Sequence, residues 1–173
     1  MEIKPPPETV EQFNGFYRSD LKSLIWLLAK AGATRTEAED VAQEAMLVLL
    51  GAWSSVHNRR AFVRTVALRG LYRTWDSRKR STDAEQRIAS RKDWLETFDA
   101  NEDVDRTLEL LESLPTAQRE VFALRIDGFS EKEIAEITGK KETTVRSNLR
   151  HARDKMKSVL RRSTTGKEED HGP

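Results

Sequence analysis

The sequence predicts an all-α chain of two small helical domains, a three- to four-helix bundle and then a four-helix unit, joined by a flexible linker. Three observations carry that expectation. Apolar residues recur at three- and four-residue spacing through most of the chain, while alternating strand patterns are nearly absent. Glycine, proline and capping residues punctuate the pattern at helix-length intervals. Charge is segregated: the formal net charge is only +1, yet residues 51–80 hold eight Lys/Arg against one acid, 81–113 hold four against ten, and 114–162 hold twelve against seven. With 173 residues the chain accommodates one ordinary domain or two small ones, and the charge break favours two. Two basic segments around an acidic connector suggest two surfaces for a polyanion, separated by a stretch that avoids one.

In "VEQFNGFYRSDLKSLIWLLAKAG", Val10, Phe13, Phe16, Tyr17, Leu21, Leu24, Ile25 and Leu28 share a helical face that stops near Gly32. The next helix, "TRTEAEDVAQEAMLVLLGAW", is expected to be capped by Thr36 with Glu39 completing a capping box. Its Val41, Ala45, Val48, Leu49 and Ala52 are expected to pack on the first helix, leaving Asp40, Gln43, Glu44, Leu47 and Leu50 outside. After "SSVHN" comes a third helix, "RRAFVRTVALRGLYRTWDSRKR", which closes the first domain, residues 10–80. On it Arg69, Arg73 and Arg80 align, beside a stripe of Leu68, Tyr72, Trp75 and Lys79. Cations beside aromatic rings suit single-stranded nucleic acid, because the rings offer unpaired bases a stacking surface. A core role for Tyr72 and Trp75 fits the same spacing.

Residues 81–103 are polar and acidic and read as the linker; Trp94, Leu95 and Phe98 are its apolar anchors, for a partner, for the chain itself or for local packing. The second domain, residues 104–162, opens with "VDRTLELLESLP", and Pro115 sits where a new helix begins. Ser130 and Glu133 form a capping box before "EKEIAEIT", in which Ile134, Ala135 and Ile137 face inward and Gly139 ends the helix. In "ETTVRSNLRHARDKMKSVL", Val145, Leu149, Ala152 and Met156 form the buried stripe. Thr143, Arg146, Ser147, Arg150 and Arg153 are then turned outward. An arginine-rich outer face on the second of two helices is what a helix-turn-helix presents to the major groove, where Arg pairs with guanine edges and Ser or Thr holds phosphate.

Within "LPTAQREVFALRIDGFSEKEIAEITGKKETTVRSNLRHARDKM", the residues Leu114, Pro115, Gln118, Arg119, Glu120, Gly128, Glu133, Ile134, Ala135, Gly139, Thr144, Val145, Ser147, Leu149, Ala152 and Arg153 stand in register with a known pattern. The stretch resembles region four of bacterial sigma factors, particularly the extracytoplasmic-function (ECF) group. Ala38 to Ala45, "AEDVAQEA", resembles the region of the same family that holds the polymerase clamp. The resemblance spans about residues 10–160. It implies that Asp40, Gln43, Glu44 and Leu47 contact core RNA polymerase. It also implies that the loop 54–60 and the third helix open the minus-ten promoter element and capture a flipped base, and Asn58, Arg69, Tyr72, Arg73, Trp75, Lys79 and Arg80 are the DNA-binding residues expected there. The helix-turn-helix, with Lys140, Lys141, Thr143, Thr144, Arg146, Ser147, Arg150 and Arg153, would read the minus-thirty-five element, and the acidic linker would thread the polymerase. Free factors of this group are often held by an anti-sigma protein, which makes such a protein a further expected partner. The chain departs from the family at Lys140 and Lys141, where an apolar residue and a Ser-like cap are usual, at Asn148, where Arg is usual, and at Arg69 and Arg73, where many relatives carry Asn and Asp.

Other classes have less support. The sequence has no cysteine, and His57, His151 and His171 are far apart, so no cofactor or metal is expected; Glu37, Glu39, Asp40 and Glu44 lack a histidine at ligand spacing. No phosphate-binding glycine loop or nucleophile elbow is present, and no enzyme activity is expected. No apolar run approaches the roughly 20 residues of a membrane span, and "MEIKPPPETVEQF" lacks the features of a secretory signal, so a cytoplasmic location is expected without membrane insertion. The alternative readings are a dimeric helix-turn-helix regulator of a palindromic operator, and an inactive sigma-like decoy.

Overall fold

The computed structural model describes residues 7–77, 93–94 and 102–165, which contain seven α-helices and no strand. The chain falls into two compact units: the first holds most of the first three helices, up to Asp93, and the second holds the last four helices, from Trp94, together with Lys30–Gly32. Lys79, Arg80, Leu95, Phe98 and most of the expected linker lie outside the described residues; Trp94 is buried.

In the first unit, α1 spans Pro7–Ala31 and ends at Gly32, whose φ of 110° is one that side-chain-bearing residues avoid. Phe13, Leu24, Leu27 and Leu28 form its buried face. The second helix, α2, spans Arg35–Gly51. Its cap is Thr34, not Thr36: Thr34 Oγ1 accepts from the Glu37 amide at 3.3 Å, and the Thr34 amide donates to the Glu37 carboxylate at 2.8 Å. Starting two residues earlier leaves Glu39 one turn after Arg35, where the pair forms an ion pair at 2.9 Å. Val48 is a second correction. It lies outside, 43% exposed, because Ala42, Ala45, Met46 and Leu49 already fill the buried side of the helix.

Helix α3, Arg59–Ser77, packs closely along α2. Close approach is possible because Gly70 has no side chain; a Cβ there would come within 3.3 Å of a Val41 methyl group. An ion pair inside the bundle ties α1 to α3. Arg64, fully buried, donates to the Asp20 carboxylate, and its second terminal nitrogen donates to Ser23 Oγ at 3.1 Å. At the other end Trp53 packs edge-on against Phe13 and Phe16, with ring centroids 5.6 and 5.9 Å away, while the Arg59 guanidinium lies 3.9 Å over its face.

In the second unit, α4 (Glu102–Glu112) precedes α5 (Thr116–Ile126), α6 (Glu131–Thr138) and α7 (Glu142–Thr165). Leu111, Leu114 and Ala152 bury one another, with Phe122 and Met156 against them, so that α4 covers the middle of α7. Arg119 closes the C-terminal end of α4: its Nε donates to the Leu111 carbonyl at 2.8 Å and its Nη2 to that of Glu112 at 2.9 Å. These carbonyls have no partner within their helix, and a guanidinium there also suits the helix dipole.

Candidate nucleic-acid and polymerase interfaces

The turn between α6 and α7 is set by local rules. Ser130 caps α6 as expected, its Oγ accepting from the Glu133 amide at 3.3 Å while the Glu133 carboxylate accepts from the Ser130 amide at 2.8 Å. Gly139 ends that helix at φ 69°, ψ 15°, the left-handed conformation in which glycine carries no Cβ penalty. The chain can therefore reverse within two residues and start α7 at Glu142, an acid favoured at a helix N-terminus.

Along α7 the buried stripe is as the spacing predicts. Val145, Leu149 and Ala152 are buried and Met156 half-buried. Each fully buried aliphatic side chain is worth about 1.5–3 kcal/mol, which fixes the rotational setting of the helix and hence what faces out. Thr143, Thr144, Arg146, Arg150 and Arg153 are exposed, and Ser147 is half-buried beside them. Arg146 Nε donates to the Glu131 carboxylate at 3.0 Å, and Arg153 Nε donates to the carbonyl of Leu149, one turn back, at 3.3 Å. The whole face therefore offers hydroxyls and guanidinium groups to a single surface. Lys141 is exposed at its near end. Lys140 is different, because its Nζ donates at 2.7 Å to Glu120, a carboxylate of α5 that is 2% exposed. The sequence expectation places Lys140 among the DNA-binding residues of the helix-turn-helix. The structure gives its charge a partner inside the protein.

Two surfaces stand out in the first unit. On α2, Asp40, Gln43, Glu44 and Leu47 are all exposed, Leu47 by 68%, and Val48 extends the patch. Leu50, expected outside, is half-buried. Two adjacent bare aliphatic side chains rimmed by acids are an arrangement suited to a protein partner. On α3, Arg69 and Arg73 are exposed, while Tyr72 and Trp75 are half-buried and meet edge-to-face at 5.6 Å. Arg73 reaches Glu44 of α2 at 3.6 Å, so the acidic and basic surfaces adjoin. Asn58 is exposed in the loop before α3, and its Oδ1 accepts from the Ala61 amide at 3.1 Å, which makes it the cap of α3.

Sequence reasoning missed three of these features. Arg64 is in helical phase with Ala67, Leu68 and Leu71, a signal that it belongs to the buried face. Glu120 stands one turn before Leu124 and next to Val121, both fully buried, and is betrayed the same way. Glu131 has no comparable signal, since its link to Arg146 depends on how α6 and α7 cross.

Residues 105–156 match the family described as "Sigma-70, region 4". That stretch of the second unit is a sigma-70 region 4. Solved structures agree at the level of the fold. The sigma factor RpoE, solved with the anti-sigma factor NepR from Bartonella quintana, matches with a TM-score of 0.70 at 20% identity, over 87% of this chain and 98% of that one. CnrH, solved with the cytosolic domain of CnrY, matches with a TM-score of 0.62 at 20% identity, over 86% of each chain. No curated protein sequence matches the chain. Among the described residues, no helix is long and apolar enough to cross a membrane.

Proposed function

We propose that this chain is a promoter-specificity subunit of the ECF type, in which the two units divide the work of initiation. As a sigma factor it directs core RNA polymerase to promoters. The observation that carries the reading is one chain joining a sigma-70 region 4, over residues 105–156, to a separate unit whose α2 leaves Leu47 and Val48 exposed among acids. A regulator that binds an operator by itself needs the first part and not the second.

In this division, Asp40, Gln43, Glu44, Leu47 and Val48 dock on the polymerase. Arg69, Tyr72, Arg73 and Trp75, with Asn58 in the preceding loop and with Lys79 and Arg80, which lie outside the described residues, hold the melted minus-ten strand. Unstacking a base costs a few kcal/mol, and stacking on aromatic rings returns roughly 1–3 kcal/mol per base, so the half-exposed Tyr72 and Trp75 supply a term of the right size. Lys141, Thr143, Thr144, Arg146, Ser147, Arg150 and Arg153 read the minus-thirty-five duplex, with Lys140 acting at the turn. The expected linker, residues 81–103, lies in the nucleic-acid path of the enzyme, and an anti-sigma protein holds the free factor, as NepR and CnrY pair with the two structural relatives. The role is regulatory rather than catalytic and is exercised in the cytoplasm.

In vitro transcription tests this reading. Core polymerase is run with and without the chain on a promoter library, and unpaired thymines are mapped with permanganate. Chain-dependent transcripts with thymine reactivity near minus ten support it; tight binding to a palindromic duplex without polymerase, and no transcript, would overturn it in favour of a conventional regulator.

A further inference from the structure

Glu131 is an acid on the DNA-facing side of a helix-turn-helix, where it repels phosphate. Local structure does not require it there. The cap of α6 is complete without it, since Ser130 and Glu133 satisfy one another in both directions. Its carboxylate instead crosses the turn to Arg146, fifteen residues on, and accepts from Nε at 3.0 Å. Both side chains are open to water, Arg146 at 62% and Glu131 at 36%, and an ion pair this exposed adds little to stability.

What the contact does is geometric. A guanidinium has five N–H donors in one plane, and binding its Nε fixes that plane while leaving the four donors of the two terminal nitrogens outward. Among the described residues no protein acceptor meets those terminal nitrogens of Arg146. A pair of parallel donors matches the O6 and N7 acceptors of a guanine edge in the major groove. An arginine held this way cannot swing to a neighbouring phosphate without losing the carboxylate, so the acid trades general attraction for base choice.

We infer that Glu131 is a specificity-determining residue, orienting Arg146 so that its terminal nitrogens read a guanine of the upstream promoter element. The inference rests on α7 being the helix that reads duplex, and the test separates the two. Core polymerase carrying the full chain selects from a promoter library randomised across the upstream element, and bound sequences are counted for wild type, Glu131→Gln, Arg146→Ala and the double variant. Arg146→Ala levels the preference for guanine at one position. Glu131→Gln lowers guanine preference at that same position by about three- to tenfold, a fraction of what a bidentate pair confers. Overall retention stays level or rises up to about twofold, because a repelling charge has gone. The double variant then matches Arg146→Ala. If Arg146→Ala levels a position and Glu131→Gln leaves it intact, or acts as strongly when Arg146 is absent, the inference is overturned while the promoter-reading function stands. A uniform loss at every position with Glu131→Gln would mean damage to the fold and would also overturn it. If Arg146→Ala levels no position, α7 does not read bases through Arg146 and both ideas fall together.

Discussion

The two units use their cations in opposite ways. In the first, the most deeply placed basic residue is Arg64, enclosed with Asp20 and Ser23 between α1 and α3, and one of its surface arginines, Arg73, leans on Glu44. In the second, Arg146, Arg150 and Arg153 of the helix-turn-helix stay on the surface, and the carboxylate of Glu120 is drawn inside, answered by Lys140. The difference follows from phase. On α7 the spacing of Val145, Leu149, Ala152 and Met156 fills the inner stripe with apolar side chains and leaves the arginines nowhere to go but out. On α3 the inner stripe itself contains an arginine. Local charge density therefore locates a binding surface only after the residues on the buried phase have been subtracted.

The strongest way to break this contrast is Arg64→Met. It leaves the Asp20 carboxylate, 8% exposed, without its main partner, and breaking a buried pair from one side costs about 3–5 kcal/mol. Arg60, 3.8 Å from Asp20 and more exposed, offsets only part of that. Chemical denaturation of the full chain should show the loss in the first unit. Replacing both partners, Asp20→Leu with Arg64→Met, should recover much of it, and a double variant as unstable as the single one would mean that Arg64 acts through packing alone.

Lys140→Met is the counterpart in the second unit, and its effect should be smaller. Lys140 is 26% exposed at its side chain, so water can partly replace it; a cost of about 1–3 kcal/mol is expected, the range for an unsatisfied buried acceptor. The DNA measurement is the sharper one. Removing a phosphate contact lowers the salt dependence of duplex binding by about 0.9 in the log–log slope. Lys141→Met should show that change and Lys140→Met should not. Equal changes would return Lys140 to the phosphate-binding surface.

Next in size is Gly139→Ala. Beyond its chain neighbours nothing lies within 4 Å of the added Cβ, so the cost is that of the left-handed backbone, about 1–2 kcal/mol. Asparagine, which tolerates that conformation better, should recover part of the loss in thermal denaturation; an alanine variant as stable as wild type would show that the turn relaxes, and with it the setting of α7.

Much of this arrangement was legible in the sequence, for reasons visible residue by residue. Local chemistry gave the Ser130 box, the Gly139 stop and the buried stripe of α7, because each depends on residues within one or two turns of each other. The all-α class follows from the same periodicity, and the two-unit plan from the break in charge between the basic segments and the acidic connector. The cap of α2 sits two residues before the expected one because "TRTE" and "TEAE" both fit a capping box; the box closes at Thr34 and Glu37, and Glu39 pairs with Arg35 instead. Val48 falls outside because a helix face of that width can extend to either side, and Ala42, Ala45, Met46 and Leu49 already fill the buried one. Long-range pairings, Asp20 with Arg64 over 44 residues and Glu120 with Lys140 over 20, depend on the crossing of helices and had no local signature beyond phase.

The smallest effect on stability, and the clearest division between the units, is expected from the exposed residues. Arg150→Ala removes no internal contact among the described residues and should shift stability by no more than about 0.5 kcal/mol, as usual for surface changes. Tyr72 and Trp75 are half-buried and pack on each other, so Tyr72→Ala with Trp75→Ala costs more, yet a fold without them retains Val63, Ala67, Leu68 and Leu71 in its core. Their functional effects should separate by step. With Arg150→Ala the polymerase complex should lose upstream recognition by about 1–3 kcal/mol while its permanganate pattern, once bound, stays unchanged. With both rings removed, initial binding should persist and thymine reactivity near minus ten should fall. If the two changes depressed binding and opening in the same ratio, the helix that carries rings and the helix that carries arginines would not be serving different forms of DNA, and the contrast between the units would be one of packing only.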